Sequence, residues 1–255
     1  MIPIGDENPT IRRPVMTYAI LAALLGVWVV VQGAGANGYA LVRSICNFGM
    51  VPGELTHLAR VGSGIPIAPG VSCLVDDDPI NRLTPVTSMF LHGSWGHLLS
   101  NALYFWVFGN NVEDSMGRFR FLVFYLLCGL AAAAAHVLVS PASPVPTVGA
   151  SGAISGILGA YLVLYPHARV RVFVFIFITH FPAWLVLLLW FGTQVLTGLP
   201  ELNPVNSSVS GGVAVWAHVG GFVAGVVLVK LFENRSLVRR RTLGGDARAV
   251  WDAGA

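Results

Sequence analysis

Three short stretches of the chain hold residue types that perform acyl chemistry. They read His92-Gly-Ser-Trp-Gly-His97-Leu-Leu-Ser-Asn101, then Gly149-Ala150-Ser151-Gly152-Ala153-Ile154-Ser155-Gly156, then Ala217-His218-Val219-Gly220-Gly221-Phe222-Val223-Ala224-Gly225. A serine hydroxyl is a poor nucleophile until a neighbouring base takes its proton, and histidine is the common base. Ser151 and His218 supply that pair. A tetrahedral oxyanion then needs hydrogen-bond donors, which the Asn101 amide, the His97 ring N–H and backbone N–H groups near Ser151 provide. On a helix His97 and Asn101 share a face with Tyr104 and Phe108, whereas His92 points about 140° away. Ser151, Gly152, Ser155, Gly156 and Gly159 fall within about 140° of arc, and Ala214, His218, Gly221 and Gly225 share a narrow face. Gly152-x-x-x-Gly156 and Gly221-x-x-x-Gly225 are close-packing signatures, because glycine lets helix backbones approach. Pressing those two faces together brings Ser151 beside His218, in a dyad with no aspartate to orient the imidazole.

The elements that must carry these residues are membrane helices. The 255 residues are 55% apolar and 11% charged, with 29 glycines, and the mean hydropathy is +0.71. Soluble domains carry about 25% charged residues, so a water-facing surface on this scale cannot be built. That excludes a secreted disulfide scaffold, a disordered tail protein and a nucleic-acid binder. Six apolar stretches approach the roughly 20 residues a bilayer core requires: 14–32, 88–108, 121–139, 148–165, 182–199 and 212–232. The expected fold class is an all-α membrane protein of six spans, residues 14–232, flanked by an N-terminal segment 1–13 and a basic tail 233–255. The first stretch is read as a span rather than a cleaved signal peptide, because it is long and Asp6 and Glu7 precede it. The run VFVFIFITH, starting at Val172, is read as an interfacial approach to the fifth span.

Basic residues stay on the cytoplasmic side of short loops. Arg12, Arg13, Arg118, Arg120, Arg169, Arg171, Lys230, Arg235 and Arg239–Arg241 therefore place both termini in the cytoplasm, while 140–147 and 200–211 hold no Lys or Arg. The tail from Arg235 to Arg241 is either a topology anchor or a holder of anionic lipid. Ser151, His97 and His218 then lie roughly 5–15 Å below the outer surface. The long outer loop 33–87 holds Cys46 and Cys73, whose separation neither requires nor forbids a disulfide; Cys128 is read as a buried apolar side chain.

The 12 carboxylates sit at positions 6, 7, 54, 76–78, 113, 114, 201, 233, 246 and 252, outside every span. That removes a carboxylate proton relay and an intramembrane aspartyl hydrolase. A zinc hydrolase lacks its His-Glu-x-x-His motif, and no metal or cofactor is expected. Other polar residues take structural readings: Ser155 packs, His92 makes a structural hydrogen bond, His136 and His180 are structural or interfacial, and His57 and His167 are solvated. Glu113 and Asp114 are placed at the inner end of the second span near Arg118.

His92-x4-His97-x3-Asn101, Gly149-x-Ser151-Gly152 and Ala217-His218-x-x-Gly221-x-x-x-Gly225 together resemble the rhomboid family of intramembrane serine proteases, in family order and over residues 85–232. The resemblance implies a six-span bundle around a water-accessible cavity open to the outside. Ser151 is then the nucleophile, His218 the base, and His97, Asn101 and the Ser151 N–H the oxyanion hole. It further implies single-span membrane protein substrates cut near the outer interface, a bacterial plasma membrane location, and a lateral gate within 182–211. Two features depart from the family. Loop 33–87 has no tryptophan for the Trp-Arg pair many relatives carry there. The aromatic that some members place four residues after the nucleophile is Ser155 here; neither Tyr161 nor Trp216 is assigned its role, so nothing yet orients His218. The rival expectations are an inactive rhomboid-like protein that binds membrane clients, and a small passive pore.

Overall fold

The structure is a computed structural model that describes residues 1–68, 71–202 and 214–238. The alternate loop 200–211 beyond residue 202, the expected start of the sixth span at 212–213, and Arg239–Arg241 with the rest of the tail lie outside the described residues. The chain is mostly helical: α1 (Val15–Val30), α2 (Gly38–Phe48), α3 (Pro52–Leu55), α4 (Thr84–Thr87), α5 (Trp95–Met116), α6 (Arg118–Val139), α7 (Ser151–Leu164), α8 (Ala183–Gly198) and α9 (Val215–Phe232). Five short strands accompany them: β1 (Ile2–Asp6), β2 (Gly64–Ala68), β3 (Val71–Leu74), β4 (Arg169–Val174) and β5 (Phe177–Pro182).

The six longest helices, α1 and α5 to α9, stand where the six spans were expected. Two of them, α6 and α9, are long and apolar enough to cross a membrane; α1, α7 and α8 are apolar but shorter. The second helix departs most from its expected bounds of 88–108. Ser94 takes an extended backbone and its side chain accepts from the His97 N–H at 3.1 Å, which starts α5 at Trp95. At the other end α5 runs on to Met116 and so contains Glu113 and Asp114, both buried. They lie near Arg118, as expected, lining one pocket with it, and the first turn of α1 and the segment before it supply hydrogen-bond partners. Glu113 accepts from the Met16 N–H, the Thr17 N–H and the Thr17 hydroxyl at 2.7–2.9 Å, capping the exposed donors of α1. Asp114 accepts from the Ile11 N–H at 2.9 Å and pairs with Arg12 at 3.0 Å.

The expectation of an all-helical chain is corrected at the same end. Residues 169–182 form an antiparallel hairpin, and β1 of the N-terminal segment adds to it in the order β1-β4-β5. The sequence Arg169-Val-Arg-Val-Phe-Val alternates with period two, burying Val170 and Val172 and exposing Arg169 and Arg171. Pro182 then leads directly into α8.

The core centres on α7, which is buried continuously from Gly152 to Tyr161, as expected of a helix apolar all round. It packs against α9 through the two glycine motifs. A side chain on Gly221 would strike the Gly152 carbonyl, and one on Gly225 would lie 2.7 Å from the Gly156 Cα. The backbones meet there because nothing stands between them.

The loop 33–87 is anchored without tryptophan. Cys46 and Cys73 form a disulfide that joins α2 to β3. Met50 and Thr147 exchange backbone hydrogen bonds of 2.9 and 2.8 Å, and the Gly53 N–H donates to Ser143 O at 2.9 Å. These bonds tie the loop to the segment that leads into α7. Near them Glu54 is buried; burial, reinforced by the charges of Asp76 and Asp77 against the pull of the Asp76 N–H, pushes its carboxyl up to about 7.

Candidate active site

Ser151 is the first residue of α7 rather than lying a few residues inside it. The approach to it is set by Gly149, whose φ of +131° is one that L side chains rarely adopt. The Gly149 N–H donates to Ser88 O at 2.9 Å, fixing the turn. Because Ser151 opens the helix, the N–H groups of its first turn have no intrahelical acceptor. The Ser151 hydroxyl and Nε2 of His218 are hydrogen-bonded at 2.7 Å, across the α7–α9 contact. Ser155, one turn on, donates back to Ser151 O at 2.6 Å, the local bond that fits its packing role.

His97 and Asn101 come from α5 and line the same cavity of about 600 Å³ as Ser151 and His218. The space a Cβ on Gly149 would fill lies 2.7 Å from His97 Nε2 and 3.5 Å from Ser151 Oγ. The glycine therefore keeps open a gap between the imidazole and the serine. Asn101 is buried, and its Nδ2 has no partner among the described residues. An unmet donor beside a serine is what an incoming oxyanion requires. The four residues singled out by spacing line one cavity, and Gly152, Gly156, Gly221 and Gly225 are the contacts that bring Ser151 to His218.

His92 behaves otherwise than its helical projection. It precedes α5, so the 140° argument does not apply, and its ring packs edge-on against His97 with centroids 5.1 Å apart. Its structural hydrogen bonds are made by its main chain: Gln32 accepts from the His92 N–H at 2.9 Å and donates to its carbonyl at 2.8 Å. His136 pairs with the Thr147 hydroxyl at 3.2 Å, His180 with Glu7 at 3.2 Å and His57 with Asp77 at 3.3 Å, and His167 is exposed. Cys128 is buried and unpaired against α7.

Two residues that sequence reasoning missed face His218 from α8. His218 Nδ1 and Oε1 of Gln194 are hydrogen-bonded at 2.7 Å. The Trp190 ring lies 6.0 Å from the imidazole, tilted by 37°. They stand one helical turn apart on a mostly apolar helix, and a lone amide there carries no pattern that marks its partner. Tyr161 is not near; its hydroxyl donates to Asp6 at 2.5 Å, toward the sheet.

Fold and site together define a helical membrane protein with a serine–histidine pair at the meeting point of two glycine-lined helices, beside an internal cavity. Residues 82–235 match the Rhomboid domain family, and the chain belongs to the rhomboid family of integral membrane proteins. It is 32% identical over 106 residues to the mitochondrial Rhomboid protein 1 of Saccharomyces cerevisiae, covering 40% of this chain and 31% of that protein. It is 30% identical over 154 residues to the chloroplastic Rhomboid-like protein 11 of Arabidopsis thaliana, covering 58% and 52%. To the Rhomboid protease GluP of Bacillus subtilis it is 36% identical over 146 residues, covering 57% and 25%. The matches thus span about half or less of the length of these relatives.

Proposed function

We propose that the protein is an intramembrane serine endopeptidase in which Ser151 and His218 act as a dyad. The observation that carries the reading is the 2.7 Å hydrogen bond from the Ser151 hydroxyl to His218 Nε2. In the reaction Ser151 Oγ attacks the scissile carbonyl carbon while its proton passes to His218 Nε2. The oxyanion is held by Asn101 Nδ2, the His97 ring N–H and the Ser151 N–H. Collapse of the tetrahedral adduct breaks the C–N bond, and His218 gives its proton to the leaving amine. Water, deprotonated by the same imidazole, then hydrolyses the acyl-enzyme and restores the serine.

The substrates are single-span membrane proteins cut near the outer interface. A helical peptide bond is wrapped in its own hydrogen bonds, so the substrate unwinds locally before attack. The six longest helices are the spans, both termini are cytoplasmic and the cavity opens outward. The location is a bacterial plasma membrane; the Cys46–Cys73 disulfide supports an oxidising outer side, and the protease-named bacterial relative supports the activity.

Labelling with a fluorophosphonate probe tests the nucleophile: wild type is labelled and Ser151→Ala is not. Cleavage of a single-span reporter by wild type but not by His218→Ala tests the base. Equal labelling of Ser151→Ala, or equal cleavage by His218→Ala, overturns the assignment. A client-binding protein or a pore would show neither activity in the wild type.

A further inference from the structure

We propose that Gln194 is the positioning residue of the site, its amide oxygen holding His218 in the tautomer and orientation that serve as base. The inference rests on the Ser151–His218 reading above and supplies the orienting group that the sequence left unassigned.

A neutral imidazole carries one proton and one lone pair. In this structure both ring nitrogens of His218 are engaged, Nδ1 with Gln194 Oε1 and Nε2 with Ser151 Oγ, each at 2.7 Å. A carbonyl oxygen only accepts, so the proton resides on Nδ1 and the lone pair on Nε2 faces the serine. The reversed amide would donate to Nδ1 and move the proton to Nε2, leaving the hydroxyl with no acceptor. One side chain thereby decides whether the imidazole is a base toward Ser151 or a donor to it.

The support for Gln194 is aromatic. Trp190, one turn earlier, lies over His218, and both Trp190 and Phe191 meet Phe222 one turn along α9, at 6.1 and 4.5 Å between ring centroids. These contacts set α8 against α9 in the register that puts the amide at Nδ1. The titratable groups that face His218 from other helices are His97 of α5 and His136 of α6. Among the described residues the cavity lining contains no carboxylate. A neutral acceptor orients the ring without placing a charge in the bilayer, where an anion is costly. It also leaves the imidazolium without a counter-charge.

The test uses the full chain in proteoliposomes, with a single-span reporter and the fluorophosphonate probe. Gln194→Ala lowers kcat about 10–100-fold, less than the roughly 10⁴ lost when a charged orienting carboxylate is neutralised, with KM within about twofold of wild type. Gln194→Glu recovers activity but moves the acid limb of the kcat–pH profile to higher pH, because the imidazolium then meets a carboxylate. A residue that merely packs would change KM or thermal unfolding and leave that limb in place. Unchanged kcat in Gln194→Ala, or an unmoved acid limb in Gln194→Glu, overturns the positioning role while Ser151-dependent labelling still stands. Labelling that persists in Ser151→Ala overturns the dyad itself, so the two failures are distinct.

Discussion

Gly149→Ala is the sharpest probe of how the proposed oxyanion site is built. The added methyl meets two obstacles. The φ of +131° is one that L residues rarely adopt, and holding it costs about 1–3 kcal/mol. The Cβ would also lie 2.7 Å from His97 Nε2 and 2.8 Å from its Cε1, where ordinary contact begins at 3.4 Å. The ring must therefore retreat by about 0.7 Å, or the turn must open and carry Ser151, two residues on, away from it. His97 has little room to retreat, because His92 packs against it edge-on. Either adjustment withdraws a donor from the oxyanion, a loss of about 10²–10³ in kcat. Gly96→Ala is the local control, since its Cβ would find its nearest neighbour at 3.9 Å, in ordinary contact with Ser94 Oγ. Reporter cleavage and the rate of fluorophosphonate labelling should both collapse in Gly149→Ala and stay within about threefold of wild type in Gly96→Ala, with thermal unfolding checking that both proteins are folded. A folded Gly149→Ala with wild-type labelling kinetics would refute the reasoning.

Asn101→Ala removes a buried amide with an unmet donor; kcat should drop about 10²-fold with KM nearly unchanged, read by steady-state cleavage. Gly225→Ala places a methyl 2.7 Å from the Gly156 Cα and should cost about 1–3 kcal/mol by overpacking, whereas Gly192→Ala, with nothing within 4 Å, should leave the melting temperature unchanged. Because the folded-state pKa of Glu54 is raised from 4.5 to about 7, the folded protein holds a proton that the unfolded chain releases between those values. Its contribution is intact below pH 4.5 and declines as pH rises through about 7; thermal unfolding at pH 5 and pH 8 should show a smaller loss for Glu54→Gln than for wild type. Cys46→Ser opens a crosslink across 27 positions, worth about 3–4 kcal/mol in the chain-entropy account, and should lower thermal stability in the absence of reductant.

The contact between Ser151 and His218 was legible because its packing leaves a mark that few other needs produce. Backbones as close as Gly152 to Gly221 and Gly156 to Gly225 tolerate no side chain, so glycines four apart on two helices declared both the contact and the faces meeting there. Ser151 and His218 had only to lie on those faces. Gln194 left no comparable mark. It is one amide in Ala183-Trp-Leu-Val-Leu-Leu-Leu-Trp-Phe-Gly-Thr-Gln, with no period to announce it, and its target lies 24 positions on in another helix. The partners of Glu113 and Asp114, about a hundred positions upstream, were hidden for the same reason. The sheet is a different case. The alternation in Arg169–Val174 is present, but the apolar, β-branched run from Val172 suits a membrane interface as well as a strand, so composition alone does not separate the two.

The distribution of charge along the bundle explains why the site takes the form it does. Glu113 and Asp114 are confined to the end of α5 that meets the N-terminal segment, where backbone N–H groups, the Thr17 hydroxyl and Arg12 satisfy them. At the opposite end the groups around the serine are two imidazoles, two amides and helix N–H groups, with no carboxylate among the described cavity residues. In a low-dielectric cavity fixed dipoles act strongly on charge that develops only in the transition state and require no counter-ion in the resting protein. A carboxylate beside His218 would stabilise the imidazolium during turnover, yet it would have to be held desolvated between turnovers. Gln194 avoids that resting cost and gives up part of the transition-state gain. The Gln194→Glu variant therefore weighs those two terms against each other in one protein.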